Sequence, residues 1–160
     1  MRIPLTAPLD LSASLDGGQV FRWAREGEWW WGVLGDTALR MRLVDGCLDF
    51  ASAPTSEEAT RPRLLSYLSL DEDPPPRHDA LHQDGYLSAA LDQFPGLRLL
   101  RQDPWECLVS FICSAECSIP RIRRMVGGLS HTLGAPIGLD SRSLWSFPDP
   151  EALARAGEER

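Results

Sequence analysis

The chain contains no lysine: all 16 of its basic residues are arginine. Covalent catalysis through a lysine Schiff base is therefore excluded within these 160 residues. No apolar run approaches the roughly 20 residues that a bilayer-spanning helix needs. The opening MRIPLTAPLDLSAS has no continuous apolar stretch and does not read as a secretory signal. These absences point to the cytoplasm or nucleoid and away from a membrane. The four cysteines (Cys47, Cys107, Cys113 and Cys117) form no CxxC pair and have no zinc-ligand spacing to histidine. They read as buried thiols of a reducing compartment, Cys113 and Cys117 being spaced to share a helix face. His78 and His82 are also four apart, but no third ligand is evident and both read as surface residues. No metal and no other cofactor is expected. Internal repeats and long low-complexity segments are absent too.

What is present is a foldable chain. Hydrophobic residues make up 43%, enough for a packed core rather than disorder. The length suits one ordinary domain or two small lobes sharing a core. A net charge of −7 argues against a generally basic nucleic-acid binder.

The first fifty residues read as β structure. LDLSASL alternates apolar and polar residues before a DGG turn, QVFRWAREGEWWWGVL supplies two short strands around EGE, and LGDTALRMRLVDGCLDF adds two more around Asp45-Gly46. That predicts an antiparallel meander of about five strands. Four of the six tryptophans (Trp23, Trp29, Trp30 and Trp31) fall here and are expected to close a sheet face. Residues 51–62 read as a loop. RLLSYLSL reads as a short helix or turn in which Tyr67, Leu68 and Leu70 pack. DEDPPPR is the strongest break in the chain. Beyond it the pattern turns helical in DGYLSAALDQF, DPWECLVSFICSA, SIPRIRRMVGGLSHTLG and DPEALARAGEER. Asp84, Asp103, Ser118 and Asp149 are candidate N-caps. The fold class is α+β, with a small β domain over 1–73 and a helical domain over 74–160. EALARAGEER runs out in mid-helix without a cap, so the chain reads as cut short.

Three stretches carry a resemblance: GGQVFRW with WWWGVL after it, GLRLLRQDPWECLVSFICSAECSIPRIRRMV, and LWSFPDPEALA. In this order and spacing they resemble the amino-terminal half of the 8-oxoguanine DNA glycosylases, a family of helix-hairpin-helix base-excision enzymes. The resemblance implies a small antiparallel β domain like one half of a TATA-binding protein, followed by the first helices of a glycosylase body. It implies base-excision repair, with the lesion flipped out of the duplex into a pocket. The implied partner is double-stranded DNA containing oxidised guanine, bound by a monomer.

Carried over residue by residue, the resemblance gives Gly18 a backbone carbonyl that accepts from N7–H of the oxidised base and repels the bare N7 of guanine. Arg121 matches an arginine that donates to the orphaned cytosine. Arg123 and Arg124 are candidate phosphate contacts or plain surface. The chain departs from the family at Glu116 and Cys117, where asparagines fill the hole left by the flipped base. Glu116 can accept from cytosine N4, or it can pair with Arg121 and spoil the site. The family's phosphate-gripping hairpin, catalytic lysine and aspartate have no match here, so no catalytic residue is assigned and the chain is expected to be inactive by itself. The alternatives are a non-catalytic DNA-binding or interaction remnant of the same fold, an alkylation-repair glycosylase of the same superfamily, or an unrelated interaction domain. A body missing its second half is expected to leave Val109, Ile112, Leu129 and Leu133 partly exposed, and the isolated chain to be unstable or to aggregate.

Overall fold

A computed structural model describes residues 1–71 and 81–157. The PPP break, the division at 73/74 and His78 lie outside the described residues. In chain order the elements are β1 (Arg2–Pro4), α1 (Leu11–Asp16), β2 (Ala24–Glu26), β3 (Trp29–Leu34), β4 (Thr37–Val44), β5 (Cys47–Ala53) and α2 (Glu57–Tyr67). They continue with α3 (Gly85–Gln93), α4 (Pro104–Cys113), α5 (Ile119–Leu133), β6 (Pro136–Leu139), β7 (Arg142–Trp145) and α6 (Pro150–Ala156). The α+β class holds. No helix among the described residues is long and apolar enough to cross a membrane.

The first five strands form one antiparallel sheet in the order β1-β5-β4-β3-β2. Asp45 and Gly46 turn β4 into β5 with φ of 50° and 70°, the pair of left-handed residues that a tight hairpin needs. The fifth strand is not LDLSASL. β1 pairs with β5, Ile3 opposite Leu48, while Leu11–Asp16 is helical. Asp10 caps that helix by accepting from the Ala13 amide at 3.0 Å. Leu11, Ser14 and Leu15 are its buried residues, a helical spacing that the period-two reading obscured. The loop expected over 51–62 is also shorter than it reads. β5 continues to Ala53, and α2 starts at Glu57 after the Ser56 cap, with Pro62 inside the helix.

Both faces of the sheet are covered. Trp30, Leu39, Met41, Leu48 and Phe50 point to one side and join Leu11 and Leu15 of α1 and Leu64, Tyr67 and Leu68 of α2. Each such side chain contributes about 1.5–3 kcal/mol by leaving water. Trp31, Val33 and Ala38 point to the other side, against Ile137 and Leu139 of the β6–β7 hairpin. The expected role of the tryptophans as sheet cover therefore holds for Trp30 and Trp31, and for Trp29, which packs half-buried beside Trp31. Trp23 lies outside the strands: it packs over Gly32, and its indole donates to the Tyr67 hydroxyl at 2.9 Å.

The hairpin that covers the outer face, β6 with β7, is not among the elements expected from the sequence. Arg142 on β7 stacks 4.3 Å over the Trp31 ring and pairs with Glu26 on β2. Arg40 pairs with Asp140 in the hairpin turn at 3.1 Å and lies 4.5 Å over Trp29. Residues 136–145 thus complete the packing of the amino-terminal sheet.

Candidate nucleic-acid interface

Gly17-Gly18 follows α1 directly, and Gly18 has a φ of 90°, a conformation open to glycine at little cost. A Cβ at Gly18 would sit 3.5 Å from Cδ1 of Ile119, the first residue of α5. The two stretches singled out in the sequence therefore meet in space. The junction is tied on both flanks. Asp16, just before the glycine pair, forms an ion pair with Arg123 on α5. Arg22, just after it, engages Glu106 on α4 through two parallel bonds of 2.8 and 2.6 Å.

Gln19 and Trp23 complete the attachment. Gln19 donates to the Arg98 carbonyl at 2.9 Å and accepts from the Leu100 amide at 3.1 Å. It pairs with that segment as a strand would, although its side chain does the pairing. Trp23 anchors the far end in the core. None of these tethers was assigned from the sequence. Polar residues flanking a glycine turn are the only signal, and they do not name their partners.

Between α4 and α5 the chain turns through Ser114–Ser118. Ser118 takes the extended backbone of an N-cap, but its side chain makes no capping bond, unlike those of Asp84, Asp103 and Asp149. Glu116 has a φ of 53°, a region that asparagine visits readily and longer side chains visit at a cost of about 1–2 kcal/mol. The chain contains no asparagine at all. Glu116 and Arg121 are both exposed, and among the described residues no ion pair joins them. The carboxylate and the guanidinium both stand open at the start of a 15-residue helix, whose dipole favours negative charge near that end. Arg124 is exposed, whereas Arg123 is half-buried and engaged with Asp16.

The cysteines differ from the expectation. Cys107 is exposed and Cys47, Cys113 and Cys117 are half-buried. Burial, and then the neighbouring Cys117, push the Cys113 thiol up. Among the described residues no three His, Cys, Asp or Glu side chains are placed to hold a metal ion. The expected bare faces are realised in part. Ile112 is exposed and Leu129 and Leu133 are half-buried, but Val109 is buried.

Residues 2–108 match the family described as 8-oxoguanine DNA glycosylase, N-terminal domain. The chain is 32% identical over 168 residues to N-glycosylase/DNA lyase OGG1 of Arabidopsis thaliana, a match covering 99% of this chain and 43% of that protein. The structure of MBOgg1 in complex with a low affinity DNA ligand superposes with a TM-score of 0.86 at 30% identity, covering 96% of this chain and 53% of that one. The Clostridium acetobutylicum 8-oxoguanine glycosylase/lyase, solved with dsDNA containing cytosine opposite 8-oxoG, gives 0.82 at 27% identity, covering 92% and 50%. The chain thus spans about half the length of the relatives it matches.

Proposed function

The chain belongs to the 8-oxoguanine DNA glycosylase family, and on that premise we propose that it is the damage-recognising part of a base-excision repair glycosylase/lyase. Its partner is double-stranded DNA with an oxidised guanine opposite cytosine. The observation that carries this reading is that Ile119 lies beside Gly18, 3.5 Å from where a Cβ would stand. It supports a reading in which the glycine that tests the flipped lesion and the helix start that holds the orphaned base lie side by side.

The two readings are chemically distinct. The Gly18 carbonyl accepts from N7–H, which only the oxidised purine offers. At the joint, Arg121 donates to cytosine N3 and O2, and Glu116 accepts from cytosine N4–H. Together the guanidinium and carboxylate reproduce the donor and acceptor order of a guanine edge. Both groups are exposed and, among the described residues, not paired with each other, which supports this use over mutual neutralisation. Arg124 is the better phosphate contact of the two flanking arginines, because Arg123 already holds Asp16.

The excision chemistry is not assigned to these residues, since no lysine is among them. The second reading is a non-catalytic DNA-binding remnant of the same fold. Both readings place the protein in the cytoplasm or nucleoid. Fluorescence anisotropy with duplexes carrying 8-oxoguanine or guanine opposite cytosine tests the recognition. The 8-oxoguanine duplex is expected to bind at least several-fold more tightly, with the preference reduced in Gly18→Ala and affinity for both lowered in Arg121→Ala. Equal affinity for the two duplexes would refute the assignment of Gly18. Catalysis is tested by adding the missing portion of a relative: restored base release supports the first reading, and lesion binding without release the second.

A further inference from the structure

Cys113 closes α4, and Cys117 stands two residues before α5 begins. Both are half-buried, and neither is joined to another sulfur. The chain between them is held in a turn. The Ser114 and Ala115 amides donate to the Phe111 and Ile112 carbonyls at 3.0 and 3.3 Å, and the Cys117 amide donates to the Ser114 carbonyl at 3.1 Å. Glu116, inside that turn, has a φ of 53°. A four-residue turn brings its end residues within about 7 Å, and Cys113 is the residue just before this one. The two thiols are near enough to interact, since Cys117 adds to the burial that pushes Cys113 up.

The other two cysteines are placed differently. Cys107 lies earlier on α4, about 9 Å along the helix axis from Cys113, out of reach of a disulfide. Cys47 lies on β5, opposite Pro4 and Val44. Residues four apart on a wound chain have Cβ atoms about 5–6 Å apart, whereas a disulfide holds them at about 3.5–4.5 Å. A bond between Cys113 and Cys117 therefore tightens the joint by about 1–2 Å.

We infer that Cys113 and Cys117 form a peroxide-driven modification site: an intramolecular disulfide between them draws in the joint between α4 and α5 and weakens DNA binding, and a thiol reductant reopens it. The effect on DNA rests on the reading of Glu116 and Arg121 given above; the disulfide does not. Burial keeps Cys113 as the thiol, so Cys117 reacts first. Its sulfur attacks hydrogen peroxide, the O–O bond breaks, one oxygen stays as a sulfenic acid and the other leaves as water. The Cys113 sulfur then displaces that oxygen, which leaves as a second water, and the S–S bond forms. Two thiols have given up two electrons and two protons to one peroxide. The closed ring of residues 113–117 contains Glu116 and adjoins Ser118, whose side chain makes no capping bond to resist the shift. Arg121 follows one turn on, its amide donating to the Ser118 carbonyl at 2.9 Å.

The test treats the chain with hydrogen peroxide, counts titratable thiols, maps the linked peptide by mass spectrometry, and measures anisotropy with the 8-oxoguanine duplex before and after. The four thiols are expected to fall to two, with Cys113 linked to Cys117. Affinity should fall several-fold and return with dithiothreitol, which does not reverse methionine oxidation. Cys113→Ser and Cys113→Ala, each compared with itself, should lose the reversible drop, and Cys47→Ser/Cys107→Ser should keep it. Four thiols remaining, a different pairing, or a disulfide that leaves the affinity of a DNA-binding chain unchanged would each overturn the inference. A reduced chain that ignores the duplex refutes the functional reading instead, and the thiol count and peptide map then decide the disulfide alone.

Discussion

Arg22 and Glu106, from the glycine-turn segment and from α4, form a fork-to-fork ion pair in which the arginine side chain is 6% and the glutamate 19% exposed. The third guanidinium nitrogen donates to the Trp145 carbonyl at 2.8 Å. One side chain therefore joins the turn, the helix before the joint, and the hairpin that covers the sheet.

Breaking this pair is expected to be costly, because the surviving charge stays out of water. Glu106→Gln should destabilise the chain by about 3 kcal/mol, and Arg22→Ala by a similar amount. The double variant Arg22→Met/Glu106→Leu should recover much of the loss, since it leaves no buried charge. Chemical denaturation measures all three. A loss under about 0.5 kcal/mol for both single variants, the size of an exposed pair, would show that the pair does not hold the segments together.

Gly32 has no room for a side chain. A Cβ there would approach the Trp23 ring to 2.4 Å, and that indole is fixed by the Tyr67 hydroxyl. Gly32→Ala is expected to cost about 1–3 kcal/mol through displacement of the ring. It should also shift tryptophan fluorescence. An unchanged unfolding midpoint would mean that Trp23 moves aside freely.

The clamp on the outer hairpin should depend on pH. The hydrogen bond from Arg142 holds the Glu26 carboxyl below its ordinary value near 4.5. A group whose pKa is lowered by folding adds stability above its unfolded value and loses it as pH falls through the folded one. The clamp is therefore whole above about pH 4.5 and weakens below it. Trp31 lies under Arg142, so its fluorescence should change on acidification in the native chain and much less in Glu26→Gln. Identical profiles would place the transition elsewhere.

Glu116 is strained where asparagine would not be. Glu116→Asn is expected to raise stability by up to about 1 kcal/mol by easing the left-handed backbone. In DNA binding, Glu116→Gln replaces an acceptor-only group with one that also donates. Discrimination of cytosine from thymine opposite the lesion should then fall by about 1–3 kcal/mol. Competition between the two duplexes measures it, and unchanged discrimination would remove Glu116 from base reading.

Helix starts were legible because a cap is local: Asp84, Asp103 and Asp149 each accept from an amide two or three residues on. The Asp45-Gly46 hairpin was legible for the same reason. LDLSASL misled because leucines at 9, 11 and 15 fit an alternating strand over so few residues, and only the packing of Leu11 and Leu15 against the sheet selects the helix. PIGLDSRSLW was missed because such a short hairpin has no stability of its own. It forms where Ile137 and Leu139 can cover Trp31 and Val33. The candidate site was legible only as matched stretches: the glycine turn and the arginine helix were visible, but their contact was not.

By itself the sequence determined what depends on near neighbours: the caps, the turn at Asp45-Gly46, the period of the strands, and the absence of any lysine to do covalent chemistry. Tertiary structure alone decided that Gly18 lies beside Ile119, that Arg22 closes on Glu106 and Asp16 on Arg123, and that, among the described residues, Leu108, Phe111 and Ile112 of α4 stay exposed. The physical reason is that a charge or an apolar face has no preferred partner along the chain. Its partner is whatever the packing of sheet, hairpin and helices brings within a few ångströms, where loss of water makes the interaction strong.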